Sequence, residues 1–354
     1  MGLIITQIVA LSPSSLDQSS SQASVPQQTL AEDLQDEGTL ATNVPKGKIP
    51  EYTVEGFNFV STQGGEKQWK LDAKRAFLFN SEKLVHARQV TAYLYGSDGQ
   101  ITVVTGDEAQ YFMNKRDLEI FGHVKTRFPD GFETLSEYMR YLPQTKKVEI
   151  PSKYVVNGKG QEDKGQEFHF RSQGLFFEML KSDIVLPAAV KFTLKRLATP
   201  NHPSENTTIE SDRCVVHRLQ QLAHFTMNPD RPLATRFVRI NQPTLYAQSR
   251  RADVNYGNFD KLLQYMTAFE DVLIRETGSG SSLRYGTGGR ADFDAHRDVI
   301  VLKEFPQVYQ DNDTVTGDII LVHRDTDIVE VEHSNAFSEG ESQSSKPRDG
   351  TVGQ

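Results

Sequence analysis

RADFDAHRDVIVLKEFPQVYQ, from Arg290 to Gln310, repeats the plan of DEAQYFMNKRDLEIFGHVKTRF, from Asp107 to Phe128. In each, an alanine is followed two places on by an aromatic residue. A polar turn ending in Arg-Asp comes next, then a run of β-forming residues. Anchoring on a small residue and reading six places extends the pattern. The units are AKRAFL from Ala73, GDEAQY from Gly106, SEYMRY from Ser136, SQGLFF from Ser172, SDRCVV from Ser211, SRRADV from Ser249, GGRADF from Gly288 and GDIILV from Gly317. Spacings run from 29 to 39 residues.

The first place is Ala, Gly or Ser throughout. The fourth is apolar in every unit: Ala76, Ala109, Met139, Leu175, Cys214, Ala252, Ala291 and Ile320. The sixth is apolar or aromatic: Leu78, Tyr111, Tyr141, Phe177, Val216, Val254, Phe293 and Val322. Each unit continues through a turn such as Asn114-Lys-Arg-Asp or Ala295-His-Arg-Asp into a second β-rich run. Alternating runs between turn signals mean antiparallel strands. Eight units of two give about sixteen strands and an all-β chain.

The phase of the pattern says how the strands bend. Two places before the small residue sit Leu71, Val104, Thr134, Phe170, Ile209, Ala247, Gly286 and Val315. They share its face, whereas the fourth and sixth places have the opposite parity. A strand that keeps one face buried must slip by one residue between them, which is what a bulge does. Strands bending at matching positions build a sheet folded into two walls, the jelly-roll geometry, with the small residue at a crowded corner.

Composition sets limits. The chain has 354 residues, enough for two ordinary domains, and a net charge of −8. That balance argues against a sequence-independent grip on nucleic acid. The single cysteine, Cys214, excludes an internal disulfide and a thiolate metal cage. Leu3 to Leu11, LIITQIVAL, is too short to span a membrane, which takes about 20 apolar residues. Residues 1–12 read as a partial membrane anchor, against a frayed apolar tail. Residues 13–49, rich in Ser, Gln and acids with no aromatic, read as a disordered tether. Its coil reach is about 33 Å. A module follows at 50–198, a linker at 199–206 (TPNHPSEN from Thr199), a second module at 207–337 and a disordered tail at 338–354.

No set of residues with a catalytic arrangement emerges, so the chain reads as a non-enzyme without cofactor or metal. His-Arg-Asp occurs at His296–Asp298 and His323–Asp325 without the downstream kinase signatures; both fall in the turn slot and read as solvated turns. The Gly-rich stretch Gly278 to Gly289 lacks the Lys-Ser/Thr ending of a phosphate loop and reads as a hairpin. Glu330 and Glu332 share a strand face that His333 does not, so they read as a solvated edge rather than metal ligands. Cys214 fills a core column and reads as a small buried hydrophobe.

The repeat resembles the OstA-type fold of lipopolysaccharide export proteins. Residues from about Glu51 to Leu197, opening YTVEGFNFVSTQGGEKQWKLDAKRA with Trp69, Leu71 and Ala73, resemble the LptC family. Residues from about Thr207 to Phe337 resemble the LptA family, with Ala291-Asp292 and Gly317-Asp318-Ile319-Ile320 in its two unit slots. The two modules, separate in those families, are fused here. The fifth unit departs from the pattern, reading LAHFTMNPDRP.

The resemblance implies two consecutive open, twisted β-jelly-rolls forming an apolar groove that binds the acyl chains of lipopolysaccharide. The groove residues it implies are Leu78, Tyr111, Met139, Tyr141, Leu175, Phe177, Val216, Val254, Ala291, Phe293, Ile320 and Val322. It further implies a periplasmic location, an inner-membrane tether, and a bridge passing lipid from an ABC transporter toward the outer membrane through edge-to-edge pairing with further OstA-like components. The alternative is a cell-surface β-solenoid or sandwich scaffold, or a carbohydrate-binding module, with a closed core.

Overall fold

The structure is a computed structural model. It describes residues 49–96, 99–129, 131–160, 166–196, 205–256, 263–277, 283–310, 313–326, 328–333 and 335–338. The expected anchor, tether and C-terminal tail, and most of the expected linker, lie outside them.

The regular secondary structure of the described residues is all strand, apart from two three-residue 3-10 turns. It divides into two compact units. Unit 1 takes the chain up to Pro129 together with Glu137–Lys146, and unit 2 takes Asp130–Ser136 and everything from Lys147 on.

Unit 1 holds β1 (Tyr52–Gln63), β2 (Glu66–Phe79), β3 (Leu84–Tyr95), β4 (Ile101–Phe112) and β5 (Asp117–Arg127). Each pairs antiparallel with the next. β6 (Glu133–Leu142) gives most of its length to this unit. Every ladder skips at one level. Glu55 pairs Arg75 and Phe57 pairs Ala73, leaving out Gly56 and Lys74. The skip passes through Gln89 on β3 and Asp107 on β4 to Gly122 and His123 on β5. Gly56, Gln89, Gly122 and His123 have positive φ, as a bulge that turns a strand requires. Burial changes parity there. On β2 one buried row runs Trp69, Leu71 and Ala73, then Ala76 and Leu78, while Phe77 and Phe79 are buried on the other face beyond the skip.

Unit 2 contains β7 (Lys147–Lys159), β8 (Gln166–Glu178), β9 (Asp183–Leu186), β10 (Ala188–Arg196), β11 (Glu205–Ser211), β12 (Arg213–His217), β13 (Leu222–Thr226), β14 (Val238–Asn241), β15 (Leu245–Ser249), β16 (Arg251–Tyr256), β17 (Leu263–Thr277) and β18 (Leu283–Asp294). It ends with β19 (Val299–Lys303), β20 (Gln307–Gln310), β21 (Asp313–Thr316), β22 (Ile319–His323), β23 (Val329–Glu332) and β24 (Asn335–Ser338). The pairings sort into two walls. Wall A runs from the first half of β8 through β10, β11, β14, β15, the second half of β17, the first half of β18, β20 and β21 to β24. Wall B runs from the end of β8 through β9, β12, β13, β16, the first half of β17, the second half of β18, β19 and β22 to β23. Each strand crosses from one wall to the other at its bend.

Among the described residues the expected sixteen strands become 24 segments, because seven strands lose their ladder at the corner and continue beyond it. Joined, they make 17 bent strands, which are the eight units of two plus the lead-in strand β1. The small residue of each unit sits at the corner. A Cβ on Gly288 would meet the Lys303 carbonyl oxygen, and one on Gly317 would meet Val331 and the Glu332 carbonyl oxygen. At three of the serine corners the hydroxyl spans the bend. Ser172 donates to the Gly174 carbonyl at 2.8 Å, Ser211 to Arg213 at 3.0 Å and Ser249 to Arg251 at 2.8 Å.

The compact units do not divide at 199–206. β10 and β11, on either side of that stretch, pair along seven residues, from Val190 with Ser211 to Arg196 with Glu205. The two strand edges beside that stretch satisfy each other's backbone groups. The fifth unit also keeps its ladder: β13 pairs with β12 and β16, and its departure is absorbed as a loop before β14.

Candidate functional site

Because the strands stay in register past each bend, equivalent places of successive units fall into columns that cross the sheet. In wall B one column runs Phe177, Ile184, Val216, Ala223, Val254, Met266, Phe293, Ile300, Val322 and Val329, one residue per strand. Five of these are sixth-place residues singled out in the sequence. The fourth-place residues Ala291 and Ile320 occupy the neighbouring column through Leu302, while Leu175 faces Ile150 of β7. In unit 1 a row of its own runs Leu78, Val85, Tyr111 and Leu118 from strand to strand. Met139 and Tyr141 lie buried on β6.

Wall A supplies a facing column that the sequence reading did not count as site: Phe170, Phe192, Ile209, Ile240, Ala247, Ile274, Gly286, Val308 and Val315. Its signal was present in the positions two places before each small residue. At its start Phe132, Phe168, Phe170 and Phe192 stack in near-parallel pairs with centroids 5.5–5.9 Å apart. Phe192 then meets Phe225 of wall B edge-on at 5.7 Å, so the two walls touch across the interior. In unit 1 Trp69 and Tyr111 lie on opposite halves of the bent sheet and meet at 4.9 Å, with Phe59 at 5.2 Å from both.

Ten of the twelve residues expected to line the groove are buried; Val216 and Phe293 are half-buried. The interior is therefore closed around most of them. Its chemistry is apolar and inert. Burial raises the Tyr111 phenol and pushes that of Tyr141 up to about 12. It also pushes the Cys214 thiol well up, as befits a core residue rather than a nucleophile. Among the described residues no group of three or more His, Cys, Asp or Glu side chains could hold a metal ion, and Glu330 and Glu332 are exposed on β23.

Three polar features escaped the sequence reading. His86 and Glu108 are buried in unit 1 on the face opposite the column, 3.7 Å apart, with Arg88 beside Glu108. Burial, helped by the Arg88 charge, lowers His86 to about 4, while burial raises Glu108. A solvent-open depression of about 680 Å³ lies on the bend side of unit 2, between the fifth-unit loop and the corners at Arg250, Glu270 and Gly289. Its arginines and acids are of mixed sign. The third feature corrects the reading of the second His-Arg-Asp turn. That turn is formed, but the Arg324 side chain is only 9% exposed.

Residues 29–194 match the family described as lipopolysaccharide-assembly, LptC-related. The match ends within β10. No curated protein matches the chain. Among solved structures, LptH of Pseudomonas aeruginosa, the LptA-homologous periplasmic component of its lipopolysaccharide transport device, is similar at 15% identity, with a TM-score of 0.31. That match covers 40% of this chain and 89% of LptH. Among the described residues no helix is long and apolar enough to cross a membrane.

Proposed function

With an LptC-related segment at residues 29–194 as the premise, we propose that this chain is a periplasmic lipid-transport bridge component that binds lipopolysaccharide by its acyl chains. The observation that carries the proposal is the pair of facing apolar columns running strand by strand through unit 2. Moving a methylene through water costs about 0.8 kcal/mol, so a twelve-carbon chain costs on the order of 10 kcal/mol to expose. A continuous apolar interior removes that barrier without chemistry. Of the twelve residues named from the sequence, the eight from Leu175 to Val322 line the interior of unit 2, and Leu78, Tyr111, Met139 and Tyr141 line that of unit 1; in this reading they make the acyl contacts. Chains gain access by parting two walls whose far ends no ladder joins among the described residues.

Edges give the partners their place. Among the described residues β1 pairs only β2, β23 only β22 and β24 only β21. Free strand edges recruit further strands. In this reading the β1 edge faces the inner-membrane ABC transporter, where the N-terminal segment serves as tether. The β23 and β24 edges take the next OstA-like component toward the outer membrane. The 50–198 and 207–337 stretches act as LptC-like and LptA-like modules, joined through the β10–β11 ladder.

The closed interior favours a second reading, a scaffold or carbohydrate-binding module with an ordinary core. A photo-crosslinker replacing Phe293 separates the two. Lipopolysaccharide adducts formed in cells are expected for the bridge component, whereas their absence from a folded, expressed protein supports the closed core.

A further inference from the structure

The turn at His323-Arg324-Asp325 has no part in the apolar columns, yet it places a cation in contact with both walls of unit 2 at their open side. Each wall has one end at the bend and one far end. Asp298 lies in the turn between β18 and β19, at the far end of wall B, and Arg324 follows β22 at the same end. The Arg324 backbone N–H donates to the Asp298 carbonyl at 3.0 Å, and its Nη1 donates to Asp298 Oδ1 at 2.8 Å. The rest of the guanidinium leaves wall B. Nε donates to Glu276 Oε1 at 2.6 Å, and Nη2 reaches Thr244 Oγ1 at 3.4 Å. Glu276 is near the far end of β17 in wall A, paired in the ladder with Leu245 and Arg284. Arg284 Nη2 lies 4.0 Å from Glu276 Oε2. Arg324 thus spans the mouth of the folded sheet. Its guanidinium carbon stands 5.7 Å from the centre of the Phe293 ring, the half-buried aromatic residue of the wall B column.

The chemistry of this closure differs from an apolar seal. The Glu276 and Arg324 side chains are 8% and 9% exposed, so both have given up most of their water. The desolvation cost of such a pair largely cancels its attraction, leaving little net stability but a strict geometry. When the walls part, both groups regain hydration, which offsets the lost contacts. An apolar seal has no such compensation, because opening it exposes hydrocarbon to water. A buried ion pair at a mouth therefore holds the walls in register while keeping the cost of opening low.

We propose that the Arg324–Glu276 pair is a clasp that closes the acyl-chain interior of unit 2 at its open side and must part before a chain reaches Phe293. The proposal rests on the acyl-chain reading above. Uptake of a twelve-carbon fatty acid carrying a solvent-sensitive fluorophore, followed by stopped flow on the full chain, tests it. Glu276→Gln keeps the shape and removes the charge. Its uptake is expected to be about tenfold faster at unchanged final amplitude, the factor that one lost charge-assisted hydrogen bond supplies. Arg324→Lys keeps the charge but cannot reach both walls at once, and should fall between that variant and the parent. It also decides the matter if Glu276→Gln does not fold. Ser249→Ala, at a corner rather than the mouth, controls for general loosening of unit 2. Clasp variants faster than both the parent and Ser249→Ala support the proposal. Equal rates in the parent and the folded clasp variants, or equal acceleration by Ser249→Ala, overturn the clasp while leaving the acyl reading in place. No uptake by any of the proteins overturns the acyl reading and the clasp with it.

Discussion

Ser249 shows how a corner is held by one atom. Its hydroxyl donates across the bend to the Arg251 carbonyl at 2.8 Å, and the residue is fully buried. Ser249→Ala keeps the fit and leaves that carbonyl short of a donor, so the thermal midpoint should fall by the equivalent of about 1 kcal/mol. His86 makes a pH-dependent prediction. Burial first, and the Arg88 charge second, hold it at about 4, below the ordinary 6.5. The folded state thus favours the neutral ring. Its contribution is fully present above pH 6.5 and is lost as pH falls toward 4, by up to ~3 kcal/mol for a shift of this size. Glu108, raised by burial, takes up a proton in the same acid range more readily folded than unfolded and offsets part of the loss. Denaturant titrations at several pH values should show His86→Leu flattening the profile between 6.5 and 4. An unchanged profile would rule out His86 as its source. At the same scale, Phe177→Glu or Phe293→Glu puts a carboxylate into the wall B column, and lipid binding by the folded variant should drop sharply.

A strand in the interior of a wall has no spare side. β11 is flanked by β10 and β14, and Thr208 faces Thr193 on one and Asn241 on the other. Thr208→Pro removes a donor and adds a ring where both flanks are occupied. A loss of about 3 kcal/mol or more is expected, read as a lower melting temperature by circular dichroism. A variant melting with the parent would show that the ladder across the 199–206 stretch does not support the fold. Corners, inward parity and the number of bent strands were legible in the sequence because each depends on residues a few places apart. Gly288 and Gly317 mark their own corners, and Phe293 its own face. The strand segments were not legible, since whether a ladder survives a bend depends on the neighbouring strand. The clasp was hidden for a related reason: Arg324 meets Glu276 and Thr244 from 48 and 80 residues away. Prolines near Thr199 read as a linker, and the strands on either side of it, β10 and β11, pair with each other.

The division into two compact units has a consequence for unfolding. The chain has a single tryptophan, Trp69, fully buried in unit 1 against Tyr111. Tryptophan emission therefore follows unit 1, whereas far-ultraviolet circular dichroism follows strands in both. Denaturation watched by the two signals should give transitions that do not coincide. Superimposable curves would mean that the units unfold together. Refolding should be slow, because most contacts in the sheet join residues distant in the chain.

The columns also set a rule for how such a molecule can change length. Every repeat unit adds two bent strands, and neighbouring strands lie about 4.8 Å apart, so each unit lengthens the interior by about 9.6 Å. A duplication of one whole unit, 29 to 39 residues here, keeps every side chain on its proper face. An insertion that shifts one strand by a single residue turns its inward set outward. Gene-level events that survive in this lineage are then expected to come in whole steps, with partial ones confined to the turns. The connection between β13 and β14 shows what such a turn can hold: it is long, and the strands on both sides keep their ladders.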